Sequence, residues 1–107
     1  MIQVTLYQQD SVYVGMKLYG HSGYAEAGSD IVCASVSTLV INCMNSIEYL
    51  VGDAMEETID EEKALIDFRV KAPVSPKSQL LILSTVLGLQ GVAAEYEDCI
   101  RIGVQEV

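Results

Sequence analysis

Residues 2–19 read Ile2-Gln3-Val4-Thr5-Leu6-Tyr7-Gln8-Gln9-Asp10-Ser11-Val12-Tyr13-Val14-Gly15-Met16-Lys17-Leu18-Tyr19. Apolar side chains alternate as Ile2, Val4 and Leu6, then as Val12, Val14, Met16 and Leu18, the period of two that marks a half-buried strand. Gln9-Asp10-Ser11 between them is polar and carries an Asp, so the stretch predicts an antiparallel hairpin with one apolar face. That face needs a cover.

The rest of the chain supplies it. Ser29 or Asp30 can cap a helix whose apolar stripe runs Val32, Val36, Leu39, Val40, Cys43, Ile47, Leu50 and Val51, with Gly52 placed to end it. Ala54 to Ile59 and Ala64 to Lys71 predict a second hairpin around Asp60-Glu61-Glu62, with Ala64, Ile66, Phe68 and Val70 on one face. Pro73 and Pro76 interrupt the chain. Ser75-Pro76 then supplies a cap followed by proline at the first helical position, opening a helix to about Glu95 with an apolar ridge of Leu80, Leu83 and Leu87. Cys99 to Val104 alternates again and closes the order ββαββαβ. Two helices on one face of a mainly antiparallel sheet make an α+β two-layer sandwich, with residues 1–107 as a single domain.

Composition narrows the function. A chain of 107 residues that is 50% apolar can fold around one core. Six basic against fifteen acidic residues leave a formal charge of −9, which argues against direct nucleic-acid binding, because phosphate-backbone binders displace counterions with positive charge. A basic partner or substrate fits better. Cys33, Cys43 and Cys99 cannot all pair within one chain and show no C-x-x-C spacing, so a reducing cytoplasm is the expected setting. Met1-Ile2-Gln3-Val4-Thr5 has no basic n-region. The uncharged stretches Ile31 to Ile47 and Ser78 to Ala94 carry several polar residues and fall short of the ~20 predominantly apolar residues of a membrane span. They are read as buried helices, with no membrane as partner.

One place concentrates reactive side chains. The only histidine, His21, lies in the glycine-rich stretch Gly20-His21-Ser22-Gly23-Tyr24-Ala25-Glu26-Ala27-Gly28-Ser29, and Cys33 falls in the expected first turn of the helix that follows. Unpaired amides and the positive dipole end at a helix start favour a thiolate, and thiols there or beside a protonated His fall from about 8.5 to ~3.5–7.5. In outline this is a nucleophile and a base. Asp30, Cys33 and Ser37 are spaced by three and four and share a helix face. Asp30 either caps the helix or orients His21, and Ser37 either bonds back to a helix carbonyl or belongs to the site. Alone, a Cys and a His twelve residues apart are weaker evidence for catalysis than for an inert thiol. One His with three scattered Cys gives no metal-ligand pair at a standard spacing, so neither metal nor other cofactor is expected. The acidic run from Asp53 to Glu62 reads as a solvated hairpin tip that could attract a basic polypeptide.

Taken together, Gly20-His21-Ser22-Gly23-Tyr24-Ala25 and Gly28-Ser29-Asp30-Ile31-Val32-Cys33-Ala34-Ser35-Val36-Ser37 resemble the ribosomal-processing cysteine protease family Prp. The resemblance extends over the chain in length and element order. It implies a cytoplasmic homodimer that removes the N-terminal extension, after an aromatic pair, from the precursor of a large-subunit ribosomal protein, L twenty-seven. It further implies Cys33 as nucleophile and His21 as general base, with Gly20, Asp30 and Ser37 as supporting positions. The expected oxyanion site is the helix-start amides around Cys33. The alternative is a non-catalytic acidic dimeric module that binds a ribosomal protein or an assembly factor without cutting it.

Overall fold

Strands β1 (Ile2–Gln9) and β2 (Val12–Tyr19) pair antiparallel, as their alternation predicts. The two turn residues, Asp10 and Ser11, both have positive φ, 51° and 68°, the backbone that lets a two-residue turn follow the strand twist. The structure, a computed structural model, describes residues 1–20 and 26–107, with side chains for 1–20 and 31–107. Helix α1 (Glu26–Ser46) continues into a single π turn, Ile47–Val51, which Gly52 ends in the left-handed region. β3 (Met55–Asp60) and β4 (Leu65–Val70) form the second hairpin, α2 (Pro76–Glu95) follows, and β5 (Ile100–Glu106) closes the chain.

The sheet order is β3-β4-β2-β1-β5. β5 runs parallel to β1, and every other pairing is antiparallel. The expected two-layer α+β architecture and the order ββαββαβ are therefore what the chain adopts. Register carries Ile2, Val4 and Leu6, Met16 and Leu18, and Ile66 and Phe68 to one face, where all are buried. α1 covers that face with Val32, Val36 and Val40, the π turn with Ile47, and α2 with Ile82, Val86 and Leu89. A Cβ on Gly15 would collide with the Phe68 carbonyl, so only glycine lets β2 and β4 approach this closely. Tyr7 lies opposite Gly15 on the other face. Its hydroxyl donates to Asp67 Oδ1 at 3.0 Å and the Arg69 guanidinium lies 4.8 Å from its ring centre. Burial first, and then the bond to Asp67, push the Tyr7 phenol up to about 12.

Three expectations need correction. α1 starts at Glu26, so Ser29 and Asp30 have helical backbone, whereas a cap residue sits outside the helix. Cys33 is consequently the eighth residue of α1 rather than part of its first turn, and its amide lies within the helical ladder. Secondly, the two uncharged helices are not buried all round. Leu80 and Leu87 are 68% and 70% exposed, and Leu50 is exposed within the π turn. The outward ridge of α2, Leu80, Leu83 and Leu87, is as apolar as its inward Ile82, Val86 and Leu89, so periodicity alone does not select that helix's core side. Thirdly, Ile31–Val51 and Pro76–Glu95 do reach the length and hydropathy of a membrane span. In this fold both lie across the sheet.

α2 begins at a side-chain lock. Ser75 caps it by accepting from the Ser78 amide at 3.2 Å. Asp53 Oδ2 accepts from the Ser75 amide at 3.0 Å and from the Ser78 hydroxyl at 2.7 Å. The Ser78 and Ser75 bonds hold the Asp53 carboxyl below its ordinary value of 3.8. A carboxyl so depressed stabilises the fold above its unfolded pKa, and that contribution disappears as pH falls through the folded one.

Two predictions follow from this packing. Leu89→Ala should lower the urea-unfolding free energy by about 2–5 kcal/mol, and Leu87→Ala, two residues away but outside the core, by less than about 0.5 kcal/mol. Asp53→Asn should lower the thermal midpoint at pH 7, with the gap from wild type closing as both are measured at successively lower pH below 4. A gap that stays constant with pH would assign the loss to something other than the carboxylate.

Candidate active site

Gly20 ends β2 at φ +94°, a conformation that side-chain-bearing residues rarely adopt. A Cβ there would also come 2.9 Å from the Met1 carbonyl oxygen. Gly20 therefore turns the chain out of the sheet. Its amide donates to the Ala64 carbonyl at 3.2 Å, tying the end of β2 to the turn between β3 and β4. That turn is built by Asp60, whose Oδ1 accepts from the Lys63 amide at 3.2 Å, and by a bond from the Ala64 amide to the Glu61 carbonyl. Leu65 stands opposite Tyr19 in register, so the second hairpin's tip is held beside the end of β2.

Between this tip and α1 lies a cavity of about 290 Å³. Its helical wall is Cys33, Ser37 and Ile41, one ridge at intervals of four, with Val36 behind. Its opposite wall is Ile59, Asp60, Glu61, Ala64 and Leu65, and Ile2, Leu18, Gly20 and Ile66 complete it. Most of the lining is aliphatic.

Cys33 is half-buried and opens onto this cavity, whereas Cys43 and Cys99 are each only 1% exposed. The Cys43 thiol donates to the Leu81 carbonyl at 3.8 Å, and burial pushes it up from its ordinary value. Cys33 is thus the most accessible of the three cysteines. Ser37 stands one turn further along the same wall. The back-bond to a helix carbonyl is made instead by Ser35, whose hydroxyl donates to Ile31 at 2.8 Å. Gly20 joins them at the cavity. His21 and Tyr24 lie outside the described residues, and so does the Asp30 side chain. The amides of α1's first turn, from Glu26, precede Cys33 by at least a turn.

The second hairpin's contribution was not predicted. The acidic run is expected as a solvated tip, and Glu56, Glu57 and Glu62 are exposed. Asp60 and Glu61, however, line the cavity. No local signal marks them, because their position depends on β4 pairing with β2.

A half-buried thiol opening onto a mostly aliphatic cavity, on a two-layer α+β scaffold, is an arrangement a cysteine hydrolase can use. The family model "Cysteine protease Prp" matches residues 1–101, and the chain belongs to that family: it is a cysteine protease. It is 30% identical over 107 residues to the ribosomal processing cysteine protease Prp of Bacillus subtilis, covering 95% of this chain and 96% of that protein. It is similar to the crystal structure of the Staphylococcus aureus ribosomal processing protease Prp in complex with a covalently linked product peptide, at TM-score 0.89 and 25% identity over 98% of this chain and 100% of that one. SMU.848 from Streptococcus mutans matches at TM-score 0.86 and 29% identity over 100% and 96% of the two chains. The non-catalytic module is set aside by these findings.

The geometry predicts selective labelling. Under native conditions iodoacetamide should modify Cys33 at least tenfold faster than Cys43 or Cys99, with all three reacting alike in denaturant, as read by peptide mass mapping. Equal native rates would contradict the burial described above.

Proposed function

We propose that this protein is the endopeptidase that removes the N-terminal extension of a large-subunit ribosomal protein precursor, L twenty-seven, during ribosome maturation. The observation that carries the reading is Cys33 opening onto the cavity between α1 and the second hairpin, in a chain of the Prp family. His21 immediately follows Gly20, which lines the same cavity.

His21 takes the proton from the Cys33 thiol, and the thiolate attacks the scissile carbonyl carbon. The tetrahedral intermediate collapses as His21 returns the proton to the leaving amine. Water activated by His21 then attacks the thioester, releasing the acid product and restoring the thiol. The Cys33 amide is committed to the helical ladder, so the oxyanion is stabilised by donors elsewhere than α1's interior. Ser37 adjoins the nucleophile, Asp30 precedes it by three residues on the same helix, and Gly20 supplies the turn that leads to the histidine. The aliphatic lining suits an aromatic side chain beside the bond cut.

In this reading the enzyme acts in the cytoplasm as a homodimer, binding neither nucleic acid nor membrane. A formal charge of −9 supports it, because such a surface attracts a basic ribosomal protein and repels phosphate.

Purified protein mixed with the extended precursor should cut one bond, as read by intact mass, and Cys33→Ala and His21→Ala should each leave the precursor whole while retaining the fold by circular dichroism. Cleavage by Cys33→Ala would overturn the assignment of the nucleophile. An intact precursor with wild type would overturn the substrate.

A further inference from the structure

The cavity beside Cys33 is not electrically neutral. Its helical wall, Cys33, Ser37 and Ile41, carries no formal charge, while Asp60 and Glu61 stand on the opposite wall and, among the described residues, no Lys or Arg lines it. The aliphatic neighbours Ile59 and Leu65 supply no countercharge, so the two carboxylates leave that wall net negative. Asp60 is also fixed in place, and Glu61 follows it in the same turn. One Asp60 oxygen holds the Lys63 amide, and the turn is tied to Gly20 through Ala64. A charge anchored to the same backbone as the cavity can discriminate between substrates, because little ordering is needed when one binds.

We infer that Asp60 and Glu61 are specificity-determining residues that favour substrates with a Lys or Arg close to the bond cut. The inference rests on the protease reading of the Cys33 cavity and adds to its aliphatic side-chain pocket a second, electrostatic requirement. Cys33 and Glu61 line the same cavity, so a cation that meets Glu61 while a carbonyl meets Cys33 belongs to a residue close to the scissile bond. Glu61 is exposed at the rim and Asp60 is half-buried. Glu61 is therefore where the charge of an arriving side chain is first felt.

The test uses peptides built on the junction cut in the precursor, with Lys, Gln or Glu placed in turn at each of the two positions after the bond and the aromatic pair before it kept. kcat/KM is measured for wild type, Glu61→Gln, Glu61→Lys and Asp60→Asn. Asp60→Asn keeps an oxygen for the Lys63 amide and removes only charge. At one or more positions wild type should favour Lys over Glu by about three- to tenfold, the size expected of partly exposed pairs. Glu61→Gln and Asp60→Asn should each narrow that ratio, Glu61→Lys should reverse it, and raised salt should move it towards one. Turnover by wild type with no preference among Lys, Gln and Glu overturns the inference alone, as does a preference that Glu61→Lys leaves intact. Failure of wild type to cut any peptide overturns the protease reading along with it.

Discussion

The rotation of α1 about its own axis is the constraint on which the site depends. The sheet has one apolar face, and Val32, Val36 and Val40, spaced by four, are all fully buried against it. That row fixes which side of the helix looks inward. Cys33 follows Val32 by one residue, about 100° further round the helix, so it cannot share the buried row and falls on the flank beside the second hairpin. Ser37 and Ile41 follow it there by the same spacing of four. Turning α1 by one residue would bury the thiol and expose three valines. The packing energy of the core thus holds a polar, reactive group at the edge of water.

The acidic segment after α1 divides into parts with separate structural uses. Asp53 fastens the start of α2 through Ser75 and Ser78. Glu56 and Glu57 lie exposed on β3, an edge strand, where charge discourages pairing with another chain. Asp60 shapes the turn, and with Glu61 it borders the cavity. A single run of like charge therefore contributes to helix placement, to the sheet's edge and to the site, each through a different local geometry. Its residues remain apart because a strand carries successive side chains to opposite faces.

Much of the fold was legible because its signals are local. Alternation in residues 2–19, Ser75-Pro76 before α2 and Gly52 after α1 all act within a few residues of where they are read. The α1 start was misplaced because Ser29 and Asp30 are good caps that the chain does not use as caps, the helix having begun at Glu26. Leu80, Leu83 and Leu87 were visible as a ridge but not as an outward one, since Ile82, Val86 and Leu89 offer an equally apolar face. At the site, Cys33 and Ser37 were found together because helical spacing relates them. Asp60 and Glu61 were missed because only the pairing of β4 with β2, set by the whole sheet, brings them there.

The parallel pairing of β1 with β5 puts the two ends of the chain at opposite ends of the sheet. Ile2 lines the cavity and the Met1 carbonyl lies against Gly20, while the Val107 amide donates to Gln8 at the far end of β1, roughly 20 Å away by strand rise. A purification tag or fused domain joined ahead of Met1 would emerge at the cavity's margin and compete there with an incoming polypeptide. The same addition after Val107 would leave from the distal side, which makes the carboxyl end the position for a handle that spares the cleft.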